Sequence, residues 1–140
     1  MLIERKIVSE RAAEPVGAYR HARQVGNLLF LSGIGPRERG SPTIPGVTMD
    51  EAGNVVTYDI VQEAISVFRN IRLILEDAGS SLERVIDVTV FLTSIERDFK
   101  QFNEVYRDYF GSIEPCRTTV EVNRLPTPIH VELKVIATVG

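Results

Sequence analysis

Residues Glu114–Ala137, EPCRTTVEVNRLPTPIHVELKVIA, decide how the chain is read. Two segments of alternating character, EPCRTTVEV and HVELKVIA, flank the proline-bearing turn NRLPTPI, a pattern that predicts two antiparallel strands. Successive strand side chains point to opposite faces, so Arg117, Thr119 and Glu121 share one face while Thr118, Val120 and Val122 share the other. On the second strand Val131, Leu133, Val135 and Ala137 match the apolar side, which groups Glu132 and Lys134 with Arg117. Keeping apolar against apolar permits only every second register. One register sets Thr119 opposite Glu132 and leaves Arg117 a diagonal neighbour, roughly 7–8 Å away. The next slides Arg117 about 13 Å along the strand at roughly 3.3 Å per residue, and the two groups then meet only between subunits. The tighter register is the expectation.

Working outward, Leu2–Ser9 reads as a first strand, and His21–Val25 with Asn27–Ser32 reads as a hairpin turning at Gly26. LLFLSG is almost continuously apolar, as a strand covered on both faces is. Residues 34–54 gather glycines and prolines into a long loop, and long ordered loops are often functional. Tyr58–Ala78 places Ile60, Ala64, Val67, Phe68, Ile71, Ile74 and Leu75 at helical spacing and stops at Gly79. A strand over Leu82–Leu92 and a helix over Asp98–Phe110 complete the order β β β, helix, β, helix, β β. Two helices are too few to cover both sides of six strands, so both belong on one face, and an oligomer is expected to cover the other.

The 140 residues make a single domain, 1–140. Sixteen Lys and Arg against nineteen Asp and Glu give a net charge of −3, without the basic stripe that nucleic acid requires. One cysteine, Cys116, cannot close an internal disulfide, and the N-terminus carries no signal-peptide core, so a cytoplasmic protein is expected. No apolar run is long enough to span a membrane. Two histidines and one cysteine without ligand spacing argue against a zinc site. Cys116 is read as a core thiol and His130 as a solvated edge residue.

The sequence resembles the RidA (YjgF) family of enamine/imine deaminases over essentially its whole length. The resemblance rests on Gly17-Ala18-Tyr19, Phe30-Leu31-Ser32-Gly33, and Asp98-Phe99 followed by Asn103, Tyr106 and Phe110. Pro115-Cys116-Arg117, Leu125-Pro126 and Val131-Glu132-Leu133 extend it. It implies a chorismate-mutase-like α+β fold, a six-stranded mixed sheet with two helices on one face, and a homotrimer with three intersubunit clefts. It also implies hydrolysis of 2-imino or 2-enamino acids to 2-oxo acids and ammonia without a cofactor. Arg117 matches the arginine that grips the substrate carboxylate, and Glu132 the carboxylate that positions or activates water. Tyr19, Ser32 and Asn103 match cleft positions, and Thr119 stands where many members carry Cys. Ala18 and Ile34 likewise replace a common Pro and Gln. A narrower resemblance, to 2-aminomuconate deaminases, rests on the long loop, Asn103-Glu104-Val105-Tyr106, Arg117-Thr118-Thr119-Val120 and Leu125-Pro126-Thr127-Pro128.

These residue types suit the chemistry. A guanidinium fork holds a carboxylate bidentately, and a glutamate can orient water and take its proton. A substrate with two carboxylates needs a second cation; among Arg20, Arg37, Arg39 and Arg124 the loop residues Arg37 and Arg39 are the expected ones. The alternatives are a general 2-iminoacid deaminase that clears reactive metabolites, and a non-catalytic module that binds a small carboxylic acid. The acidic balance disfavours a ribonuclease.

Overall fold

The computed structural model describes residues 1–140. In chain order the strands are β1 (Glu4–Ile7), β2 (Ala22–Val25), β3 (Leu28–Leu31), β4 (Val47–Met49) and β5 (Val55–Tyr58). Helix α1 (Ile60–Asp77), a 3-10 turn (Leu82–Arg84), β6 (Val85–Leu92), helix α2 (Ile95–Phe110), β7 (Cys116–Glu121) and β8 (Val131–Thr138) follow. Six strands form one mixed sheet in the order β1-β2-β3-β8-β6-β7, and β4 pairs with β5 apart from it. The architecture is α+β. The long loop expected over residues 34–54 contains β4, which pairs with β5 just beyond the loop's end, and β5 leads directly into α1.

Both helices begin on side-chain caps. The Asp59 carboxylate accepts from the amides of Val61 and Gln62, and the Ser94 hydroxyl accepts from Arg97. Glu121, at the end of β7, also accepts from the Ile95 amide at 2.8 Å, tying the strand to the first turn of α2. The apolar stripe of α1 (Ala64, Val67, Phe68, Ile71, Ile74) packs with Phe102 and Phe110 of α2. Beneath them lie Val88, Val90 and Leu92 of β6 with Val131, Leu133 and Val135 of β8, all fully buried. The alternate residues of these strands face away from the helices, on a side that leaves Phe30 and Val120 exposed.

The pairing of β7 corrects the hairpin expected from Glu114–Ala137. β7 lies parallel to β6, with Arg117 beside Val88 and Thr119 beside Val90, while β8 lies antiparallel on the other side of β6. The chain from β6 to β7 is therefore a strand–helix–strand crossover through α2. β7 becomes an edge strand with no contact to β8 in the sheet. Because paired residues share a face, Arg117 and Thr119 point with Val88 and Val90 toward the helices. Glu132, beside Phe91, points to the open side. Neither expected register applies, and Cys116, on the open side of an edge strand, is exposed instead of core.

A polar cluster locks the helical layer to the start of β8. Glu63 of α1 is completely buried and accepts from the His130 amide at 2.8 Å and from its ring Nδ1 at 2.7 Å. The His130 ring stacks on Tyr58 at 3.5 Å, and the Tyr58 hydroxyl donates to the buried Asp98 carboxylate at 2.8 Å. His130 is thus a structural partner and not the solvated edge residue its polar neighbours suggest. Replacing Glu63 by Ala strands two buried donors and should cost roughly 2–5 kcal/mol, at about 1–3 for each donor left without its partner. Glu63→Gln, which keeps one acceptor, should cost less; urea unfolding of the two variants measures the difference.

Candidate active site

The residues singled out in the sequence fall into two groups, one on each face of the sheet. On the helix side, Arg117 lies against the aromatic face of α2, its guanidinium carbon 4.4 Å from the Tyr106 ring centre and 5.4 Å from that of Phe102. Its Nε donates to the Thr119 hydroxyl at 2.8 Å, which fixes the plane of the fork. Its Nη2 is buried without a partner, as are Asn103 Oδ1 and the Tyr106 hydroxyl. Arg117, Thr119, Asn103, Tyr106 and Phe99 line one open cavity of about 400 Å³. Three unsatisfied polar atoms are costly in a folded chain, where nearly all buried groups are bonded. Burial pulls Arg117 below the ordinary arginine value and pushes Tyr106 above that of tyrosine. The free Nη2 offers a charged donor at the wall of this cavity.

On the open side stand Glu132, Gly33, Ser32 and Tyr19. Residue 34 bridges to Leu133, bringing the end of β3 alongside β8. Gly33 lies so close to Glu132 that a Cβ there would fall 2.7 Å from the carboxylate oxygen. Burial raises Glu132 above the ordinary glutamate range, and within the subunit its carboxylate makes neither a hydrogen bond nor an ion pair. The Ser32 hydroxyl donates to the Arg20 carbonyl at 2.7 Å and borders a depression shared with Tyr19, Arg20 and Lys134.

Arg117 and Glu132 do not meet in one chain. They are two strands apart, roughly 9–10 Å, and about three residues apart along the sheet, roughly 10 Å more, with the sheet itself between their side chains. Arg37 lines a narrow cavity with Tyr19, Ser32 and Gly33, whereas Arg39 joins neither group. Arg37 donates to the Glu14 carbonyl, and Arg39 donates to the carbonyls of Ala12 and Ser9 at 2.8 and 2.7 Å. Tyr106 and Gly33 were missed as site residues. The i, i+3 spacing of Asn103 and Tyr106 on one helix was the available signal for the first, while nothing local marks the second.

Fold and geometry define an α+β sheet protein with a partly unbonded arginine in an aromatic-lined cavity on one side and an unpartnered acid on the other. The family model described as Endoribonuclease L-PSP matches residues 9–139. A RutC family protein of Pyrococcus abyssi is 40% identical over 131 residues, 94% of each chain. The 2-iminobutanoate/2-iminopropanoate deaminase of Dermatophagoides farinae is 34% identical over 137 residues, 97% of each chain. Among solved structures, E. coli TdcF with bound serine superposes with a TM-score of 0.83 at 29% identity, covering 97% of this chain and 99% of that one. The chain belongs to the RidA/YjgF family.

The Glu132 environment predicts a pH-dependent stability. With a raised folded pKa, the residue contributes no penalty below its unfolded value, about 4.3, where both states are protonated. Stability is lost as pH rises through the folded value and a desolvated charge appears. Glu132→Gln should therefore raise the Tm at neutral pH, with the gain vanishing in acid; scanning calorimetry at both ends of that window measures it.

Proposed function

We propose that the protein is a cofactor-independent hydrolytic deaminase of 2-imino or 2-enamino carboxylic acids. In this reading it acts as a homotrimer in which the Arg117 pocket of one subunit adjoins the Glu132 face of the next. One observation carries the reading: a buried guanidinium nitrogen with no partner, held in plane by Thr119 and set beside two other unpartnered polar atoms. That is a receptor for a carboxylate. The opposite placement of Arg117 and Glu132 in the sheet makes a second subunit necessary, and the edge position of β7 leaves its backbone open to one. The relatives support the class. One is a 2-iminobutanoate/2-iminopropanoate deaminase, and another holds serine, itself a small amino acid with a carboxylate.

The reaction then needs little beyond positioning. Arg117 clamps the substrate carboxylate, which fixes the adjacent iminium carbon. Glu132, ionised, orients a water and accepts its proton as the oxygen adds to that carbon. Protonated Glu132 gives that proton to the carbinolamine nitrogen, the C–N bond breaks as the C=O bond forms, and the hydroxyl proton passes through Glu132 to the departing ammonia, leaving a 2-oxo acid, ammonium and an ionised Glu132. The iminium is already an electrophile, so oriented reactants account for much of the acceleration, up to roughly 7–11 kcal/mol in favourable cases. Tyr19, Ser32, Asn103 and Tyr106 shape the cleft. Within this class we favour 2-aminomuconate, converted to 4-oxalocrotonate, because its resemblance rests on the long loop that here contains β4. A general 2-iminoacid scavenger is the alternative.

Arg117→Ala should abolish ammonia release from a freshly generated imine acid. Glu132→Gln should lower kcat by about 100-fold or more, within the range for loss of a general base, and remove the acid limb of the pH–rate profile. Light scattering that returns a monomer for the active protein, or full activity in either variant, sinks the proposal. Gly33→Ala should keep the fold, since its backbone is ordinary and the crowded atom ends a flexible side chain. It should displace the Glu132 carboxylate and lower kcat about tenfold or more.

A further inference from the structure

The open side of the sheet holds a depression of about 710 Å³ beside Tyr19 and Ser32 whose charged lining is Lys6, Arg20, Arg23 and Lys134, without a single Asp or Glu. In a chain with more acids than bases, that segregation is specific to the place. Lys6 and Arg23 are paired directly across β1 and β2, an arrangement in which like charges repel. None of the four forms an ion pair within the subunit. The contrast with the second cationic depression, near Arg11, Arg37, Arg39 and Arg69, is direct. There Arg11 is committed to Glu76 and Asp77, Arg39 to Glu14, and the Arg37 guanidinium to a carbonyl.

Two of the four cations abut the candidate active site. The Lys134 ammonium donates to the Leu31 carbonyl, and the Ser32 hydroxyl holds the Arg20 backbone, so the two residues flank the β3 end that leads to Gly33, with the Arg20 guanidinium left free of internal bonds. Partial desolvation keeps Lys134 below the ordinary lysine range, a cost that a bound anion reverses. Glu132 lies two residues from Lys134 on the same face of β8, so the depression continues from the acid proposed to handle water.

We propose that this depression binds a second carboxylate of the substrate, with Arg20 and Lys134 as its principal contacts, and that the enzyme therefore prefers imine or enamine diacids to monoacids. The inference rests on the deaminase reading and names its substrate class. One carboxylate is held by Arg117 of one subunit. The other reaches across the cleft to the cations beside Ser32 of the next, which leaves the reacting carbon between the two anchors and near Glu132.

Muconate and sorbate test this without turnover, because they share a six-carbon diene and differ in one carboxylate against a methyl group. Titration calorimetry of the full chain should show muconate binding about tenfold or more tighter than sorbate, with the gap closing as salt is raised. In the Arg20→Gln/Lys134→Gln double variant the gap should fall to about threefold or less, by loss of muconate affinity. Both residues are exposed, so the variant should fold, and a matching melting curve checks it. Equal affinities in the wild type, or a gap that survives in the variant, overturns the proposal. So does a single-stranded RNA oligonucleotide that displaces muconate at moderate salt, since the cations would then serve phosphates. Turnover of monoacid and diacid imines with equal efficiency, alongside equal affinities, sinks the second site and leaves the deaminase standing. A muconate preference in a protein that hydrolyses neither supports the anion site and sinks the deaminase.

Discussion

The central strand β6 governs everything else in this structure, because every residue paired with it inherits its alternation. Val88, Val90 and Leu92 face the helices, so Arg117 and Thr119 on one side and Leu133 and Val135 on the other face them too. Phe91 faces away, and Glu132 goes with it. A one-residue slip of β8 on β6 would bury Glu132 in the hydrophobic core, and one of β7 on β6 would turn Arg117 outward. The separation of the cation from the acid is therefore a consequence of core packing, and an active site that uses both has to be completed by another copy of the chain.

Each half-site carries its own energetic debt. Arg117 is held among aromatic rings with a nitrogen unbonded, Glu132 sits desolvated without a counter-ion, and four cations line one depression without an acid. Such features destabilise a subunit, and the tight apolar layer formed by α1, α2 and the central strands offsets them. The fully bonded Glu63–His130 cluster shows that this fold satisfies buried polar groups where no ligand is at stake. The groups left unsatisfied are gathered instead at two places, one on each face of the sheet.

Much of this was legible in the sequence. Helix α1 follows from its apolar spacing, although it begins at Ile60 instead of Tyr58 because Asp59 supplies the cap, and α2 begins at Ile95 instead of Asp98 because Ser94 does. The placement of two helices on one face came from counting how many elements a six-stranded sheet needs, and the α+β class from the family resemblance. The hairpin between β7 and β8 was misread because alternation reports which side of a strand is apolar, not which strand lies next to it. On β7 the alternation itself misleads: Thr118 and Val120 look like the core side, yet they face out. The guanidinium is tolerated on the inner face because Phe102 and Tyr106 meet it with their ring faces.

The sequence by itself determined the two helices and the strands of the main sheet, the single helical face, and the residue types able to grip a carboxylate and direct a water, since these depend on local spacing and on side-chain chemistry. Only the tertiary structure decided that β6 intervenes between β7 and β8, that Arg117 and Glu132 are back to back, and that Lys6, Arg20, Arg23 and Lys134 converge. Those relations join residues as many as 128 positions apart, from Lys6 to Lys134. They are set by strand order and by packing across the sheet, which no local pattern encodes.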